Sequence, residues 1–341
     1  MDSKKSLISH NFNEGLALLR FYLTFLVVNT HCFNWTKKNN KFIILLKNPF
    51  HVPIFFIMSF YFFQKTLKNR NLSKFNIRFK RLLIPYIIWP IIIIIINNLL
   101  FFLFNINLHH SFKGLIKQLL TGHCFIPTLW FQINIIFTTF LFICIEFIFR
   151  DNILIILLSI EIASYFFQYS NYNYNFFFQF NFEFKYPFGR MLEILPYTIS
   201  GYILSNFSLI DYFKQNKIKS IYLCLLTFIL FYNYSIINSP RGFGYSGLNL
   251  NILSICIFIT FSLFNSKKQD KKIKYIIKLI SSNSYGIYIL HIPIMNYFEN
   301  YISLIKKKTI YGSIIIFIIC YLVCAIGKNI FKNTIFINLF S

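Results

Sequence analysis

The chain has 341 residues, of which 56% are hydrophobic and 13% are charged. A soluble domain carries about 25% charged residues, so this composition excludes an ordinary soluble protein. The formal net charge of +24 would suit a nucleic-acid-binding protein, but the basic residues lie in short clusters between apolar runs. The positive-inside rule places Lys and Arg in this way between membrane spans. The sequence therefore predicts a multi-pass membrane protein that binds no nucleic acid.

Apolar stretches of sufficient length mark the membrane spans. Backbone groups in lipid must be hydrogen-bonded within their own segment, and the alternation of a barrel strand is absent, so helices are predicted. The predicted fold is all-α, a bundle of about ten transmembrane helices that forms one domain over residues 1–341. The predicted spans are 15–33, 50–64, 82–104, 129–149, 153–168, 190–206, 220–237, 248–264, 280–298 and 310–327.

The loops between these spans predict the orientation of the chain. An even number of spans places both termini on one side, and the loops of that side carry more Lys and Arg than the others. Both termini are therefore predicted to be cytoplasmic. The outer loops are instead rich in aromatic residues and Asn, most of all over 169–189. Aromatic side chains anchor spans at the interface and also stack on sugar rings, so both roles stay open for this segment.

Ionisable residues within spans are expensive in lipid and are therefore candidates for function. The first span holds Arg20 and His31, eleven residues apart. An α-helix turns by about 100° per residue, so the two side chains share one face and are separated by roughly 16 Å along the axis. The alternative interpretation is a pair of buried polar groups that only holds helices together.

His291 lies in the ninth predicted span, which runs outward as the first span does. The two imidazoles, His31 and His291, are therefore expected at a similar depth, where they could face a common cavity. An imidazole takes up a proton near neutral pH, which suits the deprotonation of a hydroxyl nucleophile. A structural hydrogen bond is the alternative for His291. Among the embedded carboxylates, Glu161 has no obvious partner in its own span, and no histidine spacing predicts a metal site.

A run of basic residues without an acid precedes the third span, between positions 65 and 81. It ends with Arg78, Lys80 and Arg81, just before Pro85. Such a run would attract anionic lipid headgroups or an anionic cofactor. Arg grips phosphate in a bidentate manner, and coenzyme A is an anion of that kind. Membrane topology alone is the alternative for the individual lysines.

Four segments, in chain order, resemble the acyltransferase-3 family of membrane-bound acyltransferases. They are RFYLTFLVVNTH (from Arg20), VPIFFIMSFYFF (from Val52), KRLLIPYIIW (from Lys80) and SYGIYILHIPI (from Ser284). They are similar to the family's Arg-to-His signature in the first helix, its Phe-Phe-x-x-Ser-Gly segment, its Arg-x-x-x-Pro entry to the third helix and its Tyr-x-x-His-x-Pro segment. LWF at 129–131 and ISGYIL at 199–204 add to the resemblance. One position departs from the pattern, because Phe60 stands where the family has Gly, which puts a close helix approach there in doubt.

The resemblance implies a reaction and a location. Members transfer an acyl group, usually acetyl from cytoplasmic acetyl-CoA, to hydroxyl groups of surface or exported glycans. The partners implied are acetyl-CoA, a glycan or lipid-linked saccharide acceptor, and membrane lipids. The location implied is the inner membrane of a bacterium.

The resemblance also implies roles for the candidate residues. His31 would be the general base or a transient acyl carrier, and Arg20 would orient the thioester or offset charge. The other candidates would assist: Arg78, Lys80 and Arg81 by holding the phosphates of CoA, and His291 and Glu161 as supporting partners.

Two other function classes would also suit a polytopic membrane protein. A transporter or flippase of lipid-linked sugars would need a gated cavity and would not depend on acetyl-CoA. A glycan ligase or polymerase usually has one large outer loop, and the longest predicted outer loop, 105–128, argues against that class. Transfer of label from acetyl-CoA to alkali-labile glycan would separate an acyltransferase from both.

Overall fold

The architecture is taken from a computed structural model, which describes residues 13–32, 50–104, 111–122, 124, 126–174, 189–237, 247–264, 271–299, 301–306, 309–332, 334, 337 and 339. Over these residues the regular structure is entirely helical. The α-helices are α1 (Glu14–Cys32), α2 (His51–Lys68), α3 (Leu72–Phe104), α4 (Phe112–Thr121), α5 (Leu129–Ile148), α6 (Ile153–Tyr174), α7 (Arg190–Asn206), α8 (Leu209–Gln215), α9 (Lys217–Ile237), α10 (Leu248–Leu263), α11 (Lys271–Ser282), α12 (Ser284–Phe298), α13 (Ser303–Lys306) and α14 (Ile310–Ile330).

The all-α prediction is confirmed for the described part of the chain, and each of the ten predicted spans falls on a helix. Five of the described helices are long and apolar enough to cross a membrane by length and composition. They are α1, most of α3, α5, the segment Arg150–Gln168 and α14. The count of about ten spans and the cytoplasmic termini stay predictions. The aromatic segment 169–189 lies mostly outside the described residues.

The basic segment 65–81, predicted as a loop, is helical over most of its length. A turn at Asn69 and Arg70 divides it, and Arg70 has a positive φ of 45°. Helix α3 then begins at Leu72, well before the predicted start of the span. Arg78 therefore lies on a helix, where the rotation of α3 about its axis determines which way its side chain points.

The predicted loops also contain further helices, namely α4, α8, α13 and most of α11. Ser111 begins α4 by accepting a hydrogen bond from the Gly114 amide at 3.2 Å, and Gly122 ends it in the left-handed conformation. Both are ordinary helix start and stop signals. Helix α11 lies between two predicted spans, and Asn283 separates it from α12. The helix at the ninth predicted span, α12, thus begins a few residues later than predicted.

Helix α1 is the centre of the bundle. It packs against α2, α10, α11, α12 and α14. Leu19, Leu23 and Leu26 are completely buried along it, and so is the hydroxyl-bearing Thr24. Most of α1 is therefore buried against protein, whereas His31 near its end is exposed.

Helices α2 and α7 pack closely at Gly201. A Cβ atom on Gly201 would lie 2.3 Å from the carbonyl oxygen of Ile57, closer than real contacts allow. Phe60, which stands at the family's Gly position, is fully buried, and its ring packs 4.7 Å from that of Phe142. The close approach is thus provided by the glycine of α7, which contacts α2 one turn before Phe60.

Replacing Gly201 with Ala is expected to destabilise the protein by about 1–3 kcal/mol, the usual effect of overpacking. The new methyl group would overlap the Ile57 carbonyl and force α2 away from α7. The midpoint of thermal unfolding in detergent should fall by several degrees. Gly114→Ala is the matched control, because the nearest atom to its Cβ is Ser111 Oγ at 3.6 Å. Equal midpoints for the two variants would contradict the close approach.

Candidate active site

Helices α1 and α12 meet through two histidines, His31 and His291, which we call the histidine pair. Their ring centroids lie 5.1 Å apart, with an angle of 45° between the ring planes. Beside them, the Cys32 thiol donates to Met295 Sδ at 3.5 Å and joins the same two helices. The expectation that these imidazoles lie at a similar depth is therefore met by the geometry.

The ring of His291 is fully buried and held in one orientation. Its Nδ1 atom lies 2.7 Å from the carbonyl oxygen of Tyr288. Since a carbonyl oxygen can only accept a hydrogen bond, Nδ1 carries the proton, and Nε2 is the unprotonated nitrogen of the neutral ring. Nε2 has no hydrogen-bond partner among the described residues. His31 is exposed, so the pair joins an accessible imidazole to a buried nitrogen that can accept a proton.

An aromatic cluster lies next to the histidine pair. The ring of Tyr288 lies 6.0 Å from that of His291, 5.0 Å from that of Phe131 and 6.4 Å from that of Phe55. These contacts bring α2, α5 and α12 together on one side of the histidines. Electrostatic interactions are stronger beside such apolar rings than in water.

Arg20 lies deeper in the bundle, about 16 Å from His31 along the axis of α1. Its Nη2 atom is 3.7 Å from Met58 Sδ on α2. Within the described residues, no carboxylate forms a salt bridge with it. A guanidinium in this position is well suited to an anionic ligand. The distance favours offsetting the charge of a ligand over contact with a group bound at His31.

Arg78 turns into the bundle, whereas Lys80 and Arg81 are exposed. The Nη2 atom of Arg78 donates to Ser59 Oγ at 2.9 Å, and Nε donates to Thr139 Oγ1 at 3.2 Å. The Ser of the Phe-Phe-x-x-Ser segment therefore holds a guanidinium. The side chains of Arg78, Lys80 and Arg81, which are neighbours in the sequence, therefore point in different directions.

Two aromatic rings also contact Arg78. Its guanidinium carbon lies 4.3 Å from the ring centroid of Phe63 and 5.4 Å from that of Phe60. A cation over an aromatic face is stabilised by about 0.5–2 kcal/mol. These rings thus take over part of the role of a counter-ion.

Arg20 and Arg78 approach α2 at consecutive residues, Met58 and Ser59. The two guanidinium groups therefore lie at the same level of α2. No salt bridge to a carboxylate is formed by either in the part of the chain that the structure describes. Together they make this level of the bundle electropositive.

Glu161 belongs to a separate polar cluster between α6, α7 and α10. The Nδ2 atom of Asn251 donates to Glu161 Oε1 at 3.3 Å and to the Tyr165 hydroxyl at 2.6 Å. The same amide is hydrogen-bonded to Ser200. Across the described ranges, no hydrogen bond joins this cluster to the histidine pair. A supporting role for Glu161 in the chemistry stays a prediction.

Three uncharged residues with buried polar groups were not predicted from the sequence. Asn29 and Gln132 are each 1% exposed, and both have side-chain atoms without a hydrogen-bond partner among the described residues. The third residue is Tyr285, whose buried hydroxyl lies beside the Gln132 side chain. The amides carried a usable signal, since a carboxamide within an apolar run is expensive in lipid, but nothing distinguished Tyr285 from many other tyrosines.

Apolar helices of membrane-spanning length around an internal polar site define an integral membrane protein. The family described as an acyltransferase domain matches residues 13–328, from the start of α1 nearly to the end of α14. The chain therefore belongs to the acyltransferase-3 family, and the resemblance found in its motifs is confirmed. A search of curated proteins and a search of solved structures each give no match.

Proposed function

We propose that this protein is a glycan O-acyltransferase of a bacterial inner membrane, which transfers acetyl from cytoplasmic acetyl-CoA to a hydroxyl group of a surface or exported glycan. Membership of the family supports a membrane acyltransferase in general. The observation that carries the finer proposal is the histidine pair, with rings 5.1 Å apart on α1 and α12. An exposed imidazole can meet an acceptor hydroxyl, and the buried one beside it can share the proton.

His31 acts as the general base in the proposed reaction. The glycan hydroxyl oxygen attacks the carbonyl carbon of the thioester while the imidazole takes the hydroxyl proton. The carbon–sulfur bond then breaks, and the imidazolium returns the proton to the CoA thiolate. The products are the glycan ester and CoA thiol. His291 Nε2 stabilises the imidazolium by accepting a hydrogen bond from it.

The alternative role for His31 is that of a transient acyl carrier. Its nitrogen would then attack the thioester, release CoA, and pass the acetyl group to the glycan hydroxyl in a second step. Both roles need the same imidazole, and they differ in whether an acetyl group is found on the protein after CoA has left.

The basic residues hold the donor in this proposal. Arg20 and Arg78 offset the charge of the CoA phosphates within the bundle. The exposed Lys80 and Arg81 attract the anion to the cytoplasmic surface, where long-range attraction raises the rate of encounter. Glu161 supports the site from its own cluster.

Membranes that contain the protein, supplied with acetyl-labelled CoA, provide the test. Label is expected in alkali-labile glycan, and it should be missing from membranes without the protein. Labelled free acetate in place of acetyl-CoA is the control for metabolic incorporation. Export of glycan that continues without any acetyl-CoA, with no label incorporated, would instead identify a transporter or flippase.

A further inference from the structure

A third histidine, His51, lies beside the histidine pair. The rings of Phe55 on α2 and Tyr288 on α12 lie 6.4 Å apart. His51 precedes Phe55 by one turn of α2, and His291 follows Tyr288 by one turn of α12, so each histidine shares a helix face with one of these rings. The imidazoles of His51 and His291 interact electrostatically. The two helices therefore run in opposite directions at this point and bring both imidazoles to a similar level.

His51 is a buried member of this group. It is 3% exposed and His291 is fully buried, so the exposed His31 has two buried imidazoles near its level. Three imidazoles can hold a metal ion when their spacing is right. In the part of the chain that the structure describes, no group of three His, Cys, Asp or Glu side chains has the spacing of a metal site. The three histidines are therefore better explained by proton and hydrogen-bond chemistry.

The position of His51 at the start of a helix favours a neutral ring. His51 is the first residue of α2, and Phe50 before it provides no side-chain cap. The N-terminus of a helix carries a partial positive charge, which stabilises a negative charge and disfavours a positive one. A neutral imidazole keeps one N–H donor, and at a helix N-terminus it can polarise a carbonyl group. His51 is thus suited to donating a hydrogen bond to a negatively charged oxygen.

The proposed acyl transfer includes a step at which such a donor is useful. When the glycan hydroxyl attacks the thioester, negative charge develops on the carbonyl oxygen, and a donor aimed at that oxygen is usually a large part of catalysis. His31 takes the hydroxyl proton and His291 supports the imidazolium, so neither provides this donor. Arg20 lies about 16 Å from His31 along α1, too far to contact the same carbonyl group.

We propose that His51 donates a hydrogen bond from its ring N–H to the thioester carbonyl oxygen and stabilises the negative charge that forms there. This inference rests on the proposed function. As the hydroxyl oxygen bonds to the carbonyl carbon, the π electron pair of the C=O bond moves to the oxygen, and His51 keeps its own proton. The pair then re-forms the C=O bond, the carbon–sulfur bond breaks, and the thiolate takes the proton from His31.

Three replacements of His51 test this role. His51→Ala and His51→Leu remove the donor, and the Leu side chain fills much of the volume of the ring. Both should lower kcat by a factor of about 10²–10³, the usual effect of losing one such donor. The KM for acetyl-CoA should change little, because the interaction is gained in the transition state. His51→Gln keeps an N–H donor without an imidazole, so its kcat should stay within about tenfold of the native value.

The measurement is the rate of label transfer from acetyl-CoA to glycan in membranes, per amount of protein, over a range of acetyl-CoA concentrations. Val52→Ala is the matched control, because it truncates a buried side chain in the same turn of α2. That variant should have a lower unfolding midpoint and a kcat close to the native value.

The outcomes separate the inference from the proposed function. Native kcat in His51→Ala or His51→Leu would overturn the inference alone, and so would a rise in KM without a fall in kcat. An equal loss of kcat in His51→Gln and His51→Leu would also overturn it, because a hydrogen-bond donor would then not be enough. Native membranes that transfer no label would overturn the proposed function, and the inference would fall with it.

Discussion

Replacing His31 with Ala is expected to lower the rate of glycan acetylation by a factor of about 10²–10⁴, the contribution of a positioned general base. His31 is the exposed member of the histidine pair, and His291 is buried behind it. Without His31, no exposed imidazole of the pair remains to take the proton of the acceptor hydroxyl. The measurement is the initial rate of label transfer from acetyl-CoA to glycan, at equal amounts of protein in the membrane.

The fold of the His31→Ala variant should be retained. His31 is exposed and forms no hydrogen bond with the described residues, so its unfolding midpoint should change little. Thr30→Ala is a suitable control, because it truncates the preceding residue, whose hydroxyl donates to the Leu26 carbonyl of the same helix. Its rate should stay close to the native rate. Normal acetylation by the His31 variant would remove that residue from the mechanism.

Replacing Arg78 with Gln is expected to raise the KM for acetyl-CoA about 10- to 100-fold, the loss of a charge-assisted interaction of about 1.5–3 kcal/mol. Arg81→Gln should change it less than about threefold, because an exposed charge contributes little. Comparing the Arg78 and Arg81 variants is informative because the sequence motif and the structure select different arginines. The spacing Arg-x-x-x-Pro selects Arg81, four residues before Pro85, whereas the structure turns Arg78 into the bundle beside Ser59.

Ser59→Ala separates the charge of Arg78 from its packing. This variant removes the hydroxyl that accepts from Arg78 Nη2 and keeps the guanidinium. Its KM for acetyl-CoA should rise by no more than about fivefold, since a single hydrogen bond contributes about 1 kcal/mol. Equal increases for Ser59→Ala and Arg78→Gln would assign the effect to packing. An increase for Arg81→Gln with none for Arg78→Gln would place the donor on the exposed side of α3.

The depth of the two histidines could be predicted from the sequence because a straight helix has a fixed rise. Given two spans that run in the same direction, the position of each residue within its span determines its level. The rise does not determine the direction in which a side chain points, because the tilt and rotation of each helix are set by packing. The contact between His31 and His291 depends on the tilt and rotation of both α1 and α12.

The basic segment before the third span shows where prediction from sequence fails. The charges of Arg78, Lys80 and Arg81 appeared as one cluster, but α3 begins at Leu72 and places them around its circumference. Only Arg78 then faces the interior of the bundle. The partner of Glu161 could likewise not be predicted from the sequence, because Asn251 lies on α10 and contacts α6 only through tertiary packing.

The prediction of site residues from the sequence also left out uncharged polar residues. Gln132 and Asn29 differ from their neighbours only by a carboxamide, yet a buried amide in a bundle needs partners as a charge does. Tyr285 could not have been selected, because whether its hydroxyl meets protein depends on the helix opposite. The partners of such uncharged polar groups are therefore visible only in three dimensions.

The histidine pair acts as one catalytic unit in the proposed mechanism, and a double-mutant cycle tests this most directly. Acetylation rates would be measured for His31→Ala, His291→Ala and the double variant. Residues that act as a unit are strongly non-additive, so the double variant should be as slow as the slower single variant, within a factor of about three. Losses that multiply would mean that the two histidines act independently, which would contradict a shared site.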